Sequence, residues 1–244
     1  MVWNGLHTIR GKGFKMEQFL EVTLELFQGF SSSILLFCLT LIIALPLGLL
    51  ISFCTMSRVA VLRVPFQILV WILRGTPLML QIFTIFYVPG LLFGFVWPTM
   101  NTGWTWFDET VTTRFLASLV AFGINYAAYF SEIYRGGIQA TPKGQYEAGQ
   151  VLGLTKSQVF FQIVMMQVVK RIMAPMSNEI ITLVKDTSLA NTIAVLELMY
   201  YAKSFLLDGL IWPIFYAGAF YLLFVGGLTL LFGWIEKKLS YYQV

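Results

Sequence analysis

Gln145-Tyr146-Glu147-Ala148-Gly149-Gln150-Val151-Leu152-Gly153 forms the centre of a polar island, Arg135 to Arg171, set between two long apolar stretches. In a chain with only 11% charged residues, a hydrated, amphipathic segment of this length belongs outside a bilayer, and its flanks belong inside one. The island reads as a docking surface. Working outward, 58% hydrophobic and 16% aromatic residues, with a mean hydropathy of +0.76, are more apolar surface than the core of a soluble 244-residue chain can bury. The solvent is therefore lipid. The net charge is +4, but the basic residues form no continuous patch with interleaved aromatics, so no nucleic-acid partner is expected.

Cys38 and Cys54 share one apolar stretch and would stand upwards of about 20 Å apart on one helix, beyond disulfide reach. Arg10, Lys12 and Lys15 near the N-terminus are followed by Glu17, Glu21 and Glu25 before any apolar run, and that run is too long for a signal peptide. It reads as a retained membrane helix. A span needs about 20 apolar residues, and charge-poor windows give five: 31–56, 65–87, 115–134, 173–199 and 210–235. Arg58 and Arg63, then Arg135, Lys143, Lys156, Lys170 and Arg171, then Lys237 and Lys238 all fall on one side if five spans alternate. The positive-inside rule makes that side cytoplasmic, with the C-terminus inside and the N-terminus outside. Phe19, Leu20, Thr23, Leu24 and Phe27 recur at helical spacing against acids, so residues 1–29 read as an extracytoplasmic segment with an interfacial helix. Residues 30–240 read as a single membrane domain, with 136–170 as its cytoplasmic loop.

Ionisable groups inside a bilayer cost roughly 2.5 to 3.5 kcal/mol each near its centre, so their placement is informative. Arg74-Gly75-Thr76-Pro77 lies within the second span, with Gln67 and Gln81 seven residues to either side as a polar stripe. Pro77 kinks the helix, which is tolerated where the kink faces protein or a cavity. A helix-packing stripe with a snorkelling arginine is the alternative. In the third span Asn125, Tyr129 and Glu132 share one face, although Glu132 lies near enough to the end to be hydrated or paired with Arg135. The fourth carries Asn178-Glu179 and Lys185-Asp186-Thr187-Ser188, with Glu179 and Asp186 on one face and Lys185 diverging from Asp186 by about 100°. Either the helix breaks there or each charge finds its own partner. A cavity holding both signs suits a zwitterion, whose carboxylate seeks Arg or Lys and whose ammonium seeks acids or carbonyls. Structural ion pairing among Arg74, Glu179, Lys185 and Asp186 is the competing reading.

No bond-making chemistry is expected. His7 is the single histidine, so no His-based metal site or triad can be assembled, and no cofactor is implied. Gly5 to Lys12 is spaced almost like a phosphate loop, but it has one residue too many between its glycines, and Gly13 stands where Ser or Thr would hold magnesium. Any nucleotide energy must come from another subunit.

Glu147-Ala148-Gly149 with Gly153, then Ile163 and Met165-Met166, is similar to the E-A-A-x-x-x-G…I-x-L-P loop of permease subunits of bacterial ABC importers. Arg74-Gly75-Thr76-Pro77-Leu78, Glu132-Ile133-Tyr134-Arg135-Gly136-Gly137, Ser177-Asn178-Glu179 and Lys185-Asp186-Thr187-Ser188-Leu189 resemble the polar amino-acid branch of that family. The resemblance implies an all-α integral membrane protein of five transmembrane helices, with the type I importer permease fold of the methionine-permease kind. It implies a cytoplasmic coupling helix in which Gln145, Glu147, Ala148, Gly149 and Gly153 meet an ATPase, with Val151 and Leu152 supplying apolar contact. It implies a substrate pathway drawn from Arg74, Thr76, Gln81, Asn125, Tyr129, Glu179, Lys185, Asp186 and Ser188. The implied partners are a cytoplasmic ATPase dimer, a second permease subunit, an extracytoplasmic amino-acid-binding protein and the lipid of the inner or plasma membrane. Two residues depart from the pattern: Gly149 replaces an alanine, and Met166 replaces the proline, so the chain is expected to continue helical there. The rival class is an ion-coupled secondary transporter or channel subunit, in which Glu132, Glu179 and Asp186 carry protons or sodium.

Overall fold

The protein is described here from a computed structural model covering residues 16–100 and 102–239. His7, Arg10, Lys12, Lys15 and the Gly5–Lys12 loop lie outside the described residues. Among these there is no β-strand, and the chain is a succession of helices. The first, α1 (Met16–Thr55), is followed by α2 (Ala60–Gly75) and α3 (Leu78–Phe93), which turn through 109° at Thr76-Pro77. After a connection holding the short α4 (Thr105–Thr110) come α5 (Thr113–Gln139) and α6 (Lys143–Val151). A long composite helix then runs from α7 (Lys156–Gln158) through one π segment (Val159–Val164) into α8 (Met165–Asp186), and tightens into a 3₁₀ turn at Thr187–Ile193. The chain ends with α9 (Leu198–Leu207) and α10 (Trp212–Leu239).

Four stretches are individually long and apolar enough to cross a membrane: 16–55, 113–139, 156–193 and 212–239. The α2–α3 pair makes a fifth if counted as one crossing, and packing supports that count. A Cβ on Gly123 of α5 would lie 3.2 Å from Ile43 of α1, and one on Gly48 would lie 2.9 Å from both the Ala127 carbonyl and the Phe130 Cβ. Ascending residues of α1 thus meet ascending residues of α5, so the two helices run parallel. A parallel pair requires one net crossing between them, and α2–α3 supplies it. The interface is fixed by size: α5 offers Ala117, Ala121, Ala127 and Ala128 to α1 and its neighbours, and Phe115, Phe122 and Phe130 fill the core around them. The outer surface is apolar, with Leu222, Leu223 and Leu230 of α10 more than 70% exposed, as expected where lipid is the solvent.

Two expectations change at this level. From Met16 on, the N-terminal stretch is not a separate helix; the 40-residue α1 begins there and runs on without interruption. Glu17, Glu21 and Glu25 interrupt the hydropathy but not the helix. Val22 and Leu26 are wholly buried with Leu198, Ala202 and Phe205, and Phe19 stacks on Trp212 and Tyr216, so its apolar face is covered by protein. The second span is broken rather than kinked. Thr76 is extended (φ −112°, ψ 143°) because a residue preceding proline is driven out of the helical region, and Pro77 then opens α3. Gln67 and Gln81 therefore do not share a stripe; Gln67 instead donates to the Thr55 carbonyl.

Beyond the 3₁₀ turn, Glu197 is fully buried and caps α9. Its carboxylate accepts from the Met199 and Tyr200 amides, both at 2.8 Å, and from the Tyr221 hydroxyl at 3.4 Å.

Candidate functional site

The break between α2 and α3 is held open by one side chain. Gln81, buried on the first turn of α3, donates to the Leu73 carbonyl at 2.8 Å and to the Thr76 hydroxyl at 2.8 Å. Its own carbonyl accepts from the Asn125 amide at 3.1 Å, and Asn125 reaches the Leu73 carbonyl at 3.4 Å. The Leu73 and Thr76 carbonyls freed by the break are thus satisfied by side chains of α3 and α5, which is how a membrane protein tolerates interrupted backbone.

Against this break lies a cavity of about 550 Å³, walled by Arg74 to Leu78, by Asn125, Tyr126 and Tyr129 of α5, and by Glu179, Thr182, Asp186 and Leu189. Arg74 stacks its guanidinium 5.3 Å from the centre of the Tyr129 ring and stands 3.7 Å from a Glu132 carboxylate oxygen. Glu132 is held more closely by Arg135, at 2.6 Å and 3.0 Å. Asp186 accepts from the Tyr126 hydroxyl at 2.7 Å. Glu179 makes no hydrogen bond or ion pair with the described residues. The N-terminus of α3, which has no side-chain cap, and the C-terminus of α2 both end at this wall, adding backbone dipoles of opposite sign.

The structure therefore gathers Arg74, Thr76, Asn125, Tyr129, Glu179 and Asp186 of the expected pathway into one cavity. Three others fall elsewhere. Gln81 braces the break and does not line the cavity; Lys185 is exposed; and the Ser188 hydroxyl donates to the Lys185 carbonyl inside the 3₁₀ turn. Adjacent helical positions diverge by about 100°, so a face that presents Asp186 inward turns Lys185 outward. Tyr126 and Thr182 were missed, yet their spacing carried the signal: Tyr126 lies three residues before Tyr129, and Thr182 three after Glu179.

At the far end of α5 lies the polar island. After Gln139 a turn of three residues leads into α6, and Arg171 of α8 donates to the Ala140 carbonyl in that turn. Tyr146 and Gly149 face inward, onto a small apolar cluster of Val159, Val164 and Val168. Gly149 has no Cβ because Val159 Cγ2 occupies that position, so its missing side chain serves packing within the chain rather than the outer face. Gln145 is half-buried, Glu147 and Ala148 are exposed, and Val151 and Leu152 are 88% and 75% exposed. Gly153 (φ +74°) ends the helix in the left-handed region that glycine enters without strain. The next helix opens with a capping box: the Gln158 amide donates to the Thr155 hydroxyl, and the Thr155 amide donates to the Gln158 side chain. The chain then runs helically through Met166, as expected where proline is replaced.

Comparison with known proteins agrees with this architecture. The family described as binding-protein-dependent transport system inner membrane component matches residues 44–241. The L-cystine transport system permease protein TcyB of Bacillus subtilis (strain 168) is 37% identical over 175 residues, covering 72% of this chain and 68% of that protein. The arginine ABC transporter permease protein ArtM of Haemophilus influenzae is 32% identical over 229 residues, covering 92% of this chain and 96% of that protein. Among solved structures, an amino acid ABC transporter crystallised with histidines matches with a TM-score of 0.77 over 93% of this chain and all of that one, at 24% identity. The inward-facing MetNI methionine ABC transporter matches with a TM-score of 0.66 over 93% of this chain and 99% of that one, at 13% identity. Both likenesses show that the chain shares the fold of those transporter chains. With the family match spanning four-fifths of the sequence, the chain belongs to the binding-protein-dependent transport system inner membrane components, the permease subunits of ABC importers.

Proposed function

We propose that this chain is the membrane-spanning subunit of an ATP-driven importer that carries an amino acid across the bacterial inner membrane by alternating access. One observation carries the reading: the polar cavity and the exposed end of α6 are joined by a single rigid helix, α5. From Tyr129 to Gln139 that helix covers about 15 Å, and the Val159 cluster clamps α6 to its end. Movement imposed on α6 reaches the cavity wall through a three-residue turn, which Arg171 braces at the Ala140 carbonyl, and then along α5.

In this reading α6 and the C-terminus are cytoplasmic, and the N-terminus is outside, in keeping with the Lys/Arg bias of the loops. Two permease subunits, identical or closely related, enclose the path. An external binding protein delivers the amino acid, and a cytoplasmic ATPase pair docks on Gln145, Glu147, Ala148, Val151 and Leu152. ATP hydrolysis must come from that pair, because a ligand shifts a two-state equilibrium only by its differential affinity and cannot by itself drive accumulation. Arg74 takes the substrate carboxylate, and an acid of the opposite wall takes its ammonium.

The test is Glu147→Arg in the complex reconstituted into vesicles with its ATPase and binding protein. Expected is continued ATP hydrolysis with amino-acid uptake reduced by at least about tenfold, since like-charge juxtaposition at a docked position costs several kcal/mol and about 1.4 kcal/mol is already tenfold. Unchanged uptake per ATP refutes docking at α6. Uptake that follows an ion gradient and survives loss of the ATPase refutes the ATP-driven reading altogether.

A further inference from the structure

The connection between α1 and α2 carries two cations that the chain leaves unanswered. Arg58 and Arg63 flank the start of α2, both exposed, and neither guanidinium has an ion pair or hydrogen bond among the described residues. The sequence supplies no acid between Glu25 and Asp108 that could serve them locally. The corner on which they stand is built. Ser57 Oγ accepts from the Val59 amide at 3.2 Å, and Gln67, one turn beyond Arg63, donates to the Thr55 carbonyl at 3.3 Å, tying α2 to the end of α1.

Beside the arginines runs an unpartnered helix face. Val61, Val64, Ile68 and Trp71 recur at spacings of three and four and are between 44% and 85% exposed, while Val70 is the one buried residue of α2. The α2 and α3 axes meet at 109°, so the two helices cannot both follow the bilayer normal, and an oblique helix meets headgroups and acyl chains along one flank. Because α1 and α5 run parallel, this corner lies at the same membrane face as the polar island.

We propose that α2 binds an anionic phospholipid, with the phosphate held between Arg58 and Arg63 and the acyl chains laid along the stripe from Val61 to Trp71. Charge complementarity selects this occupant. Guanidinium donors match phosphate oxygens in pairs, whereas a zwitterionic headgroup brings a cation of its own to a corner that already holds two. A second copy of the chain, laid on the same face by twofold symmetry, would bring the same two arginines to the same depth of the interface. A soluble partner would answer the arginines but leave bare a stripe that enters the bilayer. At its other end α2 carries Arg74 and the broken backbone, so the lipid anchors the far end of a helix that walls the cavity. Nothing in this assignment depends on which molecule is transported.

The experiment is a lipid titration of the full-length chain, purified with its partner subunits in detergent and read by native mass spectrometry, with dioleoyl phosphatidylglycerol and dioleoyl phosphatidylcholine as probes. Each arginine beside an anionic headgroup is worth about fivefold, so phosphatidylglycerol should bind about thirtyfold more tightly than phosphatidylcholine. Arg58→Gln and Arg63→Gln should each remove about fivefold of that preference and together abolish it, with phosphatidylcholine left within about twofold of its original value. Trp71→Ala should weaken both lipids alike. Glycerol 3-phosphate, which carries the charge without the chains, should fail to displace phosphatidylglycerol at about a hundredfold excess; displacement would make the corner a site for free phosphate esters and overturn the lipid assignment. A preference that survives the double replacement, or one that Lys237→Gln with Lys238→Gln lowers just as far, overturns the site. So does a Trp71→Ala protein whose mass halves, because a second copy then covers the stripe.

Discussion

Replacing Gln81 by leucine tests whether one carboxamide holds the broken span in shape. The change keeps volume and removes three good hydrogen bonds: to the Leu73 carbonyl, to the Thr76 hydroxyl and from the Asn125 amide. Inside a membrane such bonds are worth about 0.6 kcal/mol each on average, giving about 2 kcal/mol for the three. Asn125, only 4% exposed, also loses its nearer acceptor and keeps only the Leu73 carbonyl at 3.4 Å, and an under-satisfied buried amide costs about 1 kcal/mol more at the low end of the usual range. Gln81→Leu should therefore destabilise the protein by about 3 kcal/mol, on the order of a hundredfold in the folding equilibrium. Asn125→Leu alone should cost about 2 kcal/mol, and the double replacement about 1 kcal/mol less than the sum, because the second change removes a group that has already lost its nearer partner. Equilibrium unfolding in mixed micelles titrated with dodecyl sulfate measures all four corners of this cycle. A coupling energy within about 0.3 kcal/mol of zero means the two amides act independently, and the brace as described is then wrong.

Two further outcomes follow from the island and from the outer connection. Gly149→Ala gains about 1 kcal/mol of helix propensity but drives a methyl into Val159, a stiff, wholly buried β-branched side chain, at about 1 to 3 kcal/mol; thermal unfolding should show a net loss of about 1 kcal/mol, restored when Val159→Ala is added. A stabilised Gly149→Ala protein would show that Val159 yields. Asp108 accepts from the Thr102 amide and hydroxyl, both at 2.8 Å, and from the Gly103 amide at 3.0 Å, and the Thr102 amide above all holds its carboxyl below the usual carboxylate range. A carboxylate with a depressed native pKa contributes fully above its unfolded pKa and loses that contribution as pH falls through the native one. Trp104 fluorescence should therefore shift only on acidification below the ordinary carboxylate range, and Asp108→Asn should abolish the step.

The sequence carried the crossings and the cavity faces more plainly than it carried the joints. Glu179 and Asp186, and Asn125 and Tyr129, reach the same cavity because spacings of seven and four return to one helical face, a geometry independent of the rest of the fold. The start of α1 was hidden because hydropathy reports lipid contact and not helix continuity; what covers Val22 and Leu26 is α9, with Leu198, Ala202 and Phe205, far away in sequence. Thr76-Pro77 announced a disturbance, but its size depends on Gln81 and Asn125 bonding across it, and no local pattern encodes that. Gly149 looked like an outward accommodation, whereas its reason is Val159 in a π segment that no spacing rule announces.

The broken second crossing also bears on how the chain is made. At 16 residues each, α2 and α3 are about 24 Å long, and neither is the roughly 20-residue apolar helix that a translocon releases sideways into lipid on its own. The pair is therefore expected to leave the channel as a bent unit with Arg74 at its corner. The groups that receive that charge, Tyr129 and Glu132, are synthesised more than fifty residues later. Integration of the second crossing is thus expected to wait for α5, since a ribosome stalled between them leaves Arg74 without the Tyr129 and Glu132 contacts it has in the folded chain.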